Sequence, residues 1–154
     1  MGWFKKKYPK KADINVTQTE NSWSVGTMQG PDGPVILRVN KGYKDFIGHP
    51  EFKAWIWITT PYDYRHDGMP TEEEQPQLAA LESEIEEALT AGNEALLCAV
   101  HTGGCKRMWL YYFTDFGILQ SRLDPIIQNS GRQWELPWDD DPEWRQYQQF
   151  VSMS

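Results

Sequence analysis

The sequence predicts an α+β domain in which an N-terminal β-hairpin precedes a βαββαβ unit. Three observations lead there. Lys53–Thr60 (KAWIWITT) is β-branched and aromatic, as strands are. Thr71–Ala91 repeats its apolar residues at helical spacing. Two glycine-containing turns, Gly30-Pro31-Asp32-Gly33 and Gly103-Gly104, each join a pair of strand-like runs.

In chain order, Asn21–Gln29 alternates through Trp23 and Val25 and reads as a strand, and Pro34–Asn40 (PVILRVN) is its returning partner. Lys41–Phe52 holds Gly42, Gly48 and Pro50 and is expected to be a loop, as is the polar Pro61–Pro70. In the first helix Leu78, Leu81, Ile85 and Leu89 form the inner stripe, and Gly92 stands where a left-handed cap belongs. Thr71 and Glu74 match a capping box, but Pro76 would press on the carbonyl of Glu72. Either the first turn is irregular or Gln75 is the cap, with Pro76 at the first helical position.

Asn93–Thr102 and Cys105–Phe113 form the second hairpin. With a tight turn at Gly103-Gly104, Thr102 opposes Cys105 and Cys98 opposes Trp109. Alternation then puts Cys98, Val100, Arg107, Trp109 and Tyr111 on one face, and Trp55 and Trp57 share a face of their own strand. Thr114 or Asp115 caps a second helix with Phe116, Leu119, Leu123 and Ile127 inward, weakened by Pro125 and ending near Gly131. Gln133–Trp138 is the last strand, Asp139-Asp140-Asp141-Pro142 breaks it, and Glu143–Phe150 forms a short helix. The order over Lys53–Trp138 is that of a ferredoxin-like split βαβ unit, with both helices on one face of an antiparallel sheet and the other face open. No repeat or linker divides residues 21–154, which make one domain behind a basic tail over 1–20.

Net charge is −7, unevenly spread. Lys5, Lys6, Lys7, Lys10 and Lys11 are solvated positive charge, and with them set aside the rest carries −12. So negative a body disfavours direct nucleic-acid binding and steers a basic protein toward it. No apolar run is as long as a membrane span, and the basic start lacks the apolar stretch of a signal peptide. Two cysteines make no disulfide framework, and in the expected register Cys98 and Cys105 lie too far apart to bond. A cytoplasmic location follows. Eight Trp and seven Tyr exceed what a chain of 154 residues usually carries, and some of them are candidates for an interface.

Motifs for chemistry are missing. His49, His66 and His101 form no metal pair, the acidic run Asp139–Glu143 lacks the glycine of a Ca²⁺ loop, and no phosphate loop, dinucleotide fingerprint or nucleophile elbow is present. Cys105, with His101 or His49, is the weak nucleophile candidate. No catalytic residue, cofactor or metal is assigned.

Short pieces spaced along the chain carry a resemblance. They are Trp23-Ser24-Val25, Arg38-Val39-Asn40-Lys41-Gly42, Gly48-His49-Pro50-Glu51, Gly68-Met69-Pro70-Thr71, Tyr111-Tyr112-Phe113-Thr114-Asp115 and Asp141-Pro142-Glu143-Trp144. Over about residues 22 to 150 the chain resembles a bacterial family catalogued as domain of unknown function six-nine-five. The resemblance implies a ferredoxin-like fold. It also implies inhibitor-type binding, because the family is sometimes joined to a domain like the regulator of ribonuclease E activity B. It supplies no catalytic residues.

The expected function is therefore binding. The leading expectation is an immunity protein or antitoxin that neutralises a basic toxin, a nuclease among the candidates, by occluding its active groove. A regulator of an RNA-processing nuclease is the alternative, and an enzyme of unknown type the third. Trp109, Trp138 and Trp144 are the candidate anchors. Asp139, Asp140, Asp141 and Glu143 form one acidic cluster, and Glu82 and Glu86, with Glu84 and Glu87, form another on the outer face of the first helix.

Overall fold

The computed structural model describes residues 6–14 and 22–153. Six strands form one antiparallel sheet: β1 Trp23–Gly30, β2 Gly33–Asn40, β3 Ala54–Pro61, β4 Ala95–Gly103, β5 Lys106–Phe113 and β6 Trp138–Asp140, in the order β1-β2-β4-β5-β3-β6. The helices are α1 Glu74–Thr90, α2 Phe116–Ser130 and α3 Arg145–Met153. β5 lies between β3 and β4 and is antiparallel to both, so β3 and β4 run parallel with a strand between them. β6 pairs with the other side of β3. The βαββαβ unit is present, with the β1-β2 hairpin extending its sheet beyond β4.

Alternation along the strands gives the sheet two apolar faces. On one, Ile56, Ile58, Val100, Trp109 and Tyr111 pack under Leu81, Ile85 and Leu89 of α1 and Leu119, Leu123 and Ile126 of α2. Both main helices therefore lie on the same side, as their apolar stripes require. The other face, expected to be open, is covered. Leu37, Val39, Trp57, Cys98, Leu110 and Tyr112 lie under Ile14, Tyr43, Phe52, Trp144 and Tyr147. Trp144 is the centre of that cover: its ring stacks on Tyr112 at 4.0 Å and its indole N–H donates to the Phe52 carbonyl at 2.7 Å. Burying a ring of that size stabilises by roughly 3 kcal/mol.

Several expectations are corrected. Lys41–Phe46 is a 3₁₀ turn rather than loop, started by the Asn40 side chain accepting from the Gly42 N–H at 2.9 Å. α1 begins at Glu74; Pro76 stands in its first turn, where a missing N–H costs nothing. The second hairpin turns at Gly104-Cys105, both with positive φ (59° and 71°), rather than at Gly103-Gly104. Gly103 pairs with Lys106 as the last residue of β4, and only glycine fits there, because a Cβ would meet the Pro34 carbonyl oxygen at 2.6 Å. An irregularity between Leu97 and Ala99 then breaks the alternation of β4. Val100, Trp109 and Tyr111 share the helix face as expected, while Cys98 moves to the opposite one. The last strand is Trp138–Asp140 rather than Gln133–Trp138; before it, Glu135 makes only an isolated bridge to Thr59, and Pro137 has no N–H to continue the ladder.

Within the expected basic tail Lys6, Lys7 and Lys10 are exposed, but the segment 6–14 lies against the sheet rather than free of it. Ile14 is buried, the Tyr8 hydroxyl donates to the Ile47 carbonyl at 2.7 Å, the Pro9 carbonyl meets His49 Nε2 at 2.8 Å, and Lys11 pairs with Glu94. Lys5, and Asn21 of the expected first strand, lie outside the described residues.

Candidate functional site

The exposed aromatic surface lies where β6 meets the start of α2. Asp115 has an extended backbone, and its carboxylate accepts from the Ile118 N–H at 3.0 Å, which fixes the start of the helix. Phe116 is thereby placed at the first helical position and left 37% exposed, rather than on the inner stripe with Leu119 and Leu123. Trp138, opposite Ile56 on the helix face of the sheet, packs against Phe116 with ring centroids 4.6 Å apart and the rings tilted by 31°, and is 46% exposed. Phe113 supports both from beneath, 6.3 Å from each.

Asp115 and Asp140 border this pair, and Asp139 lies across the sheet from it. Asp140 shares the Trp138 face of the strand, opposite Ala54, while Asp139 lies on the other face, opposite Trp55. Both are exposed, as is Asp115, and among the described residues none of the three is in an ion pair. Anchoring rings beside uncompensated negative charge suit a basic partner.

The other expected site residues are placed differently. Trp109 is fully buried and donates its indole N–H to Glu82 at 2.8 Å; Trp144 is fully buried as described above. Asp141 is buried and holds α3: it accepts from the Tyr112 hydroxyl at 2.8 Å, the Arg145 N–H at 2.9 Å and the Gln146 N–H at 3.0 Å. Glu143 is exposed and pairs with Arg145 at 2.8 Å. Glu84 and Glu87 are exposed, and Glu86 is half-buried. Glu82 is not on the solvated face at all. Its Oε1 accepts from Arg38 at 2.6 Å, Trp109 at 2.8 Å and Arg107 at 3.5 Å.

A second region follows from Glu82. Strand pairing sets Arg38 of β2 opposite Val100 and Arg107 of β5 opposite Thr102, so both arginines reach the helix face beside α1. They line an open cavity of about 450 Å³ together with Thr102, Gln75 and, from the loop before α1, Arg65 and Met69. Burial pulls the Arg107 guanidinium below its ordinary pKa; Glu82 opposes that, and the neighbouring charge of Arg38 adds to it.

Histidine and cysteine chemistry is not brought together. His49 is structural, its two ring nitrogens engaged by the Pro9 carbonyl and the Glu51 N–H. Cys98 and Cys105 are both free; burial pushes the Cys98 thiol well up, and Cys105 sits in the hairpin turn. Among the described residues no hydrogen bond links Cys105 to His101, and no group of His, Cys, Asp and Glu is placed to hold a metal ion. No helix of the described residues is long and apolar enough to cross a membrane.

Reasoning from sequence missed Phe116 and the arginine cavity. Its one available signal for Phe116 was position, because the residue after an N-cap aspartate starts the helix and can escape the core. Compared with known proteins, residues 21–152 match a family of unknown function, DUF695. No curated protein and no solved structure matches the chain.

Proposed function

We propose that this chain, which belongs to the DUF695 family of unknown function, is a small acidic inhibitor that binds a basic protein, of the immunity-protein or antitoxin kind. The observation that supports this reading is the exposed Phe116–Trp138 pair bordered by Asp115 and Asp140, with Asp139 on the opposite face of the same strand and none of the three in an ion pair among the described residues. The rings enter an apolar notch of the partner. Asp115, Asp139 and Asp140 meet its lysines and arginines, and the groove that would take a phosphate backbone is covered. The charge of −7 acts at longer range, drawing the partner in before contact. The role belongs in the cytoplasm, where thiols such as Cys98 and Cys105 stay reduced.

The test is capture from lysate of the source organism with the wild-type chain as bait, followed by assay of the captured protein. A basic partner whose enzymatic activity falls as this chain is added supports the proposal. Trp138→Ala should raise the off-rate and weaken binding by at least about 2 kcal/mol, as loss of a central anchor does. Asp139→Asn with Asp140→Asn should slow association and flatten its salt dependence, because steering acts over about 8 Å at physiological salt. A partner bound as well and as fast by both variants as by the wild type, or fully active when saturated, would sink the reading.

A further inference from the structure

Three arginines converge on the cavity between β2, β5 and the loop before α1, in a protein whose charge is otherwise strongly negative. The carboxylates there do not balance them. Arg65 is paired with Asp67 at 3.0 Å, but Arg38 and Arg107 share the single carboxylate of Glu82. That leaves one positive charge in excess. The side chain of Arg107 is only 12% exposed, and its buried Nε has no hydrogen-bond partner among the described residues. A buried guanidinium N–H without an acceptor is costly, and native structures rarely leave one so.

From these features we infer an anion site that takes the phosphate group of a small phosphorylated molecule. Guanidinium groups recognise phosphate oxygens through paired N–H donors, and an arginine cluster fits a tetrahedral oxyanion with several oxygens better than a lone lysine does. The Thr102 hydroxyl and Gln75 amide add neutral polar groups, and Met69 gives an apolar wall for the carbon portion of the ligand. A volume of about 450 Å³ suits a small ligand rather than a polymer. The distant carboxylates of the surface are screened over a Debye length, whereas Arg107, with a side chain only 12% exposed, is screened much less, so the local charge decides. The site is separate from the Phe116–Trp138 surface and stands or falls without it.

Titration of the full chain with inorganic phosphate, followed through the arginine Nε–H resonances by NMR at constant ionic strength, tests the assignment. The Arg107 Nε–H signal should shift saturably, with chloride producing no comparable change. Arg65→Gln, which leaves the Glu82 contacts intact, should weaken phosphate by about fivefold, the order expected for one charge-assisted contact at a solvent-facing site. Thr102→Val should weaken it less. Arg107→Lys tests the planar donor set, and circular dichroism checks that it folds. A shift that never saturates would overturn the site, and so would equal affinity in wild type and Arg65→Gln. Acetate binding as tightly as phosphate would overturn the phosphate assignment.

Discussion

Glu74 and Glu82 lie on the same helix, roughly 12 Å apart along its axis, and both point away from water, yet they do different work. Glu74 is matched one to one. Its carboxylate takes two parallel bonds from Arg132, at 2.7 and 3.0 Å, and one from the Asp63 N–H at 2.9 Å. Glu82 offers one oxygen to two guanidinium groups and an indole N–H. The first arrangement is electrically closed and ties α1 to the segment after α2. The second leaves a guanidinium unmatched at the wall of a cavity. Charge stoichiometry, more than burial, separates a pair that holds the fold from a cluster that can receive a ligand.

The largest effect should come from opening the closed pair. Arg132→Ala leaves the carboxylate of Glu74, 7% exposed, without a cation. Breaking a buried pair from one side costs about 3–5 kcal/mol. Urea denaturation should show that loss, and joint replacement by Glu74→Gln and Arg132→Met should recover much of it. A loss below about 1 kcal/mol, the range of exposed pairs, would mean that the pair is not closed. Glu82→Gln should cost less, about 1–2 kcal/mol, because Arg38 is 34% exposed and water screens it. The same substitution should tighten phosphate in the cavity, since it removes the competing carboxylate; Glu74→Gln should not. If both variants change phosphate affinity alike, the contrast between the two carboxylates fails.

Acid sharpens the same contrast on a smaller scale. The hydrogen bonds from Arg132 hold the Glu74 carboxyl below its ordinary pKa, against the opposing effect of burial. A group depressed in the folded state adds stability that is fully present above its unfolded pKa and is lost as pH falls through its folded one. Urea midpoints measured from pH 7 down to pH 3 should therefore fall, and Glu74→Gln should flatten that fall. It should not abolish it. Glu94 is also depressed: burial would raise it, but Lys11 and Thr114 together outweigh burial. An acid limb identical in wild type and Glu74→Gln would show that Glu74 carries no such linkage.

Local pattern made the scaffold legible, while long-range partnership hid most of the site. Period-two alternation and the Leu78–Leu89 stripe needed only neighbouring residues, so the βαββαβ order and the common side of α1 and α2 could be read. The irregularity at Leu97/Ala99 has no local signature, and it alone turned Cys98 to the other face. Composition counted tryptophans but not their exposure. Trp109 and Trp144 go inside because Glu82 and the Phe52 carbonyl, 27 and 92 positions away, accept their N–H groups. The same holds for Arg38 with Glu82 and Arg132 with Glu74, 44 and 58 positions apart. Glu82 seemed to be solvated charge because its sequence neighbours are acidic; its partners are on other strands. Trp138 was easier, since it flanks the acidic run Asp139–Glu143 in the sequence itself.

The smallest effect on stability should come from Asp139 and Asp140, and its smallness is informative. Beyond Glu74 with one cation and Glu82 with two, these carboxylates have none among the described residues. Asp139 accepts only the N–H of Asp140, at 2.8 Å, and both face solvent. Asp141, the next residue, differs sharply. It accepts the N–H groups of Arg145 and Gln146 and the hydroxyl of Tyr112, and is buried. Asp141→Ala should therefore cost about 1–2 kcal/mol as a lost helix cap. Asp139→Asn with Asp140→Asn should stay within about 0.5 kcal/mol, the usual range for surface changes. Two adjacent like charges on an edge strand repel, and removing them relieves that repulsion. Negative charge kept there without a cation among the described residues either guards the sheet edge or faces another molecule. Sedimentation of the double variant separates these. Self-association that grows with concentration assigns the aspartates to guarding the edge. A monomer that binds the basic partner slowly assigns them to the partner.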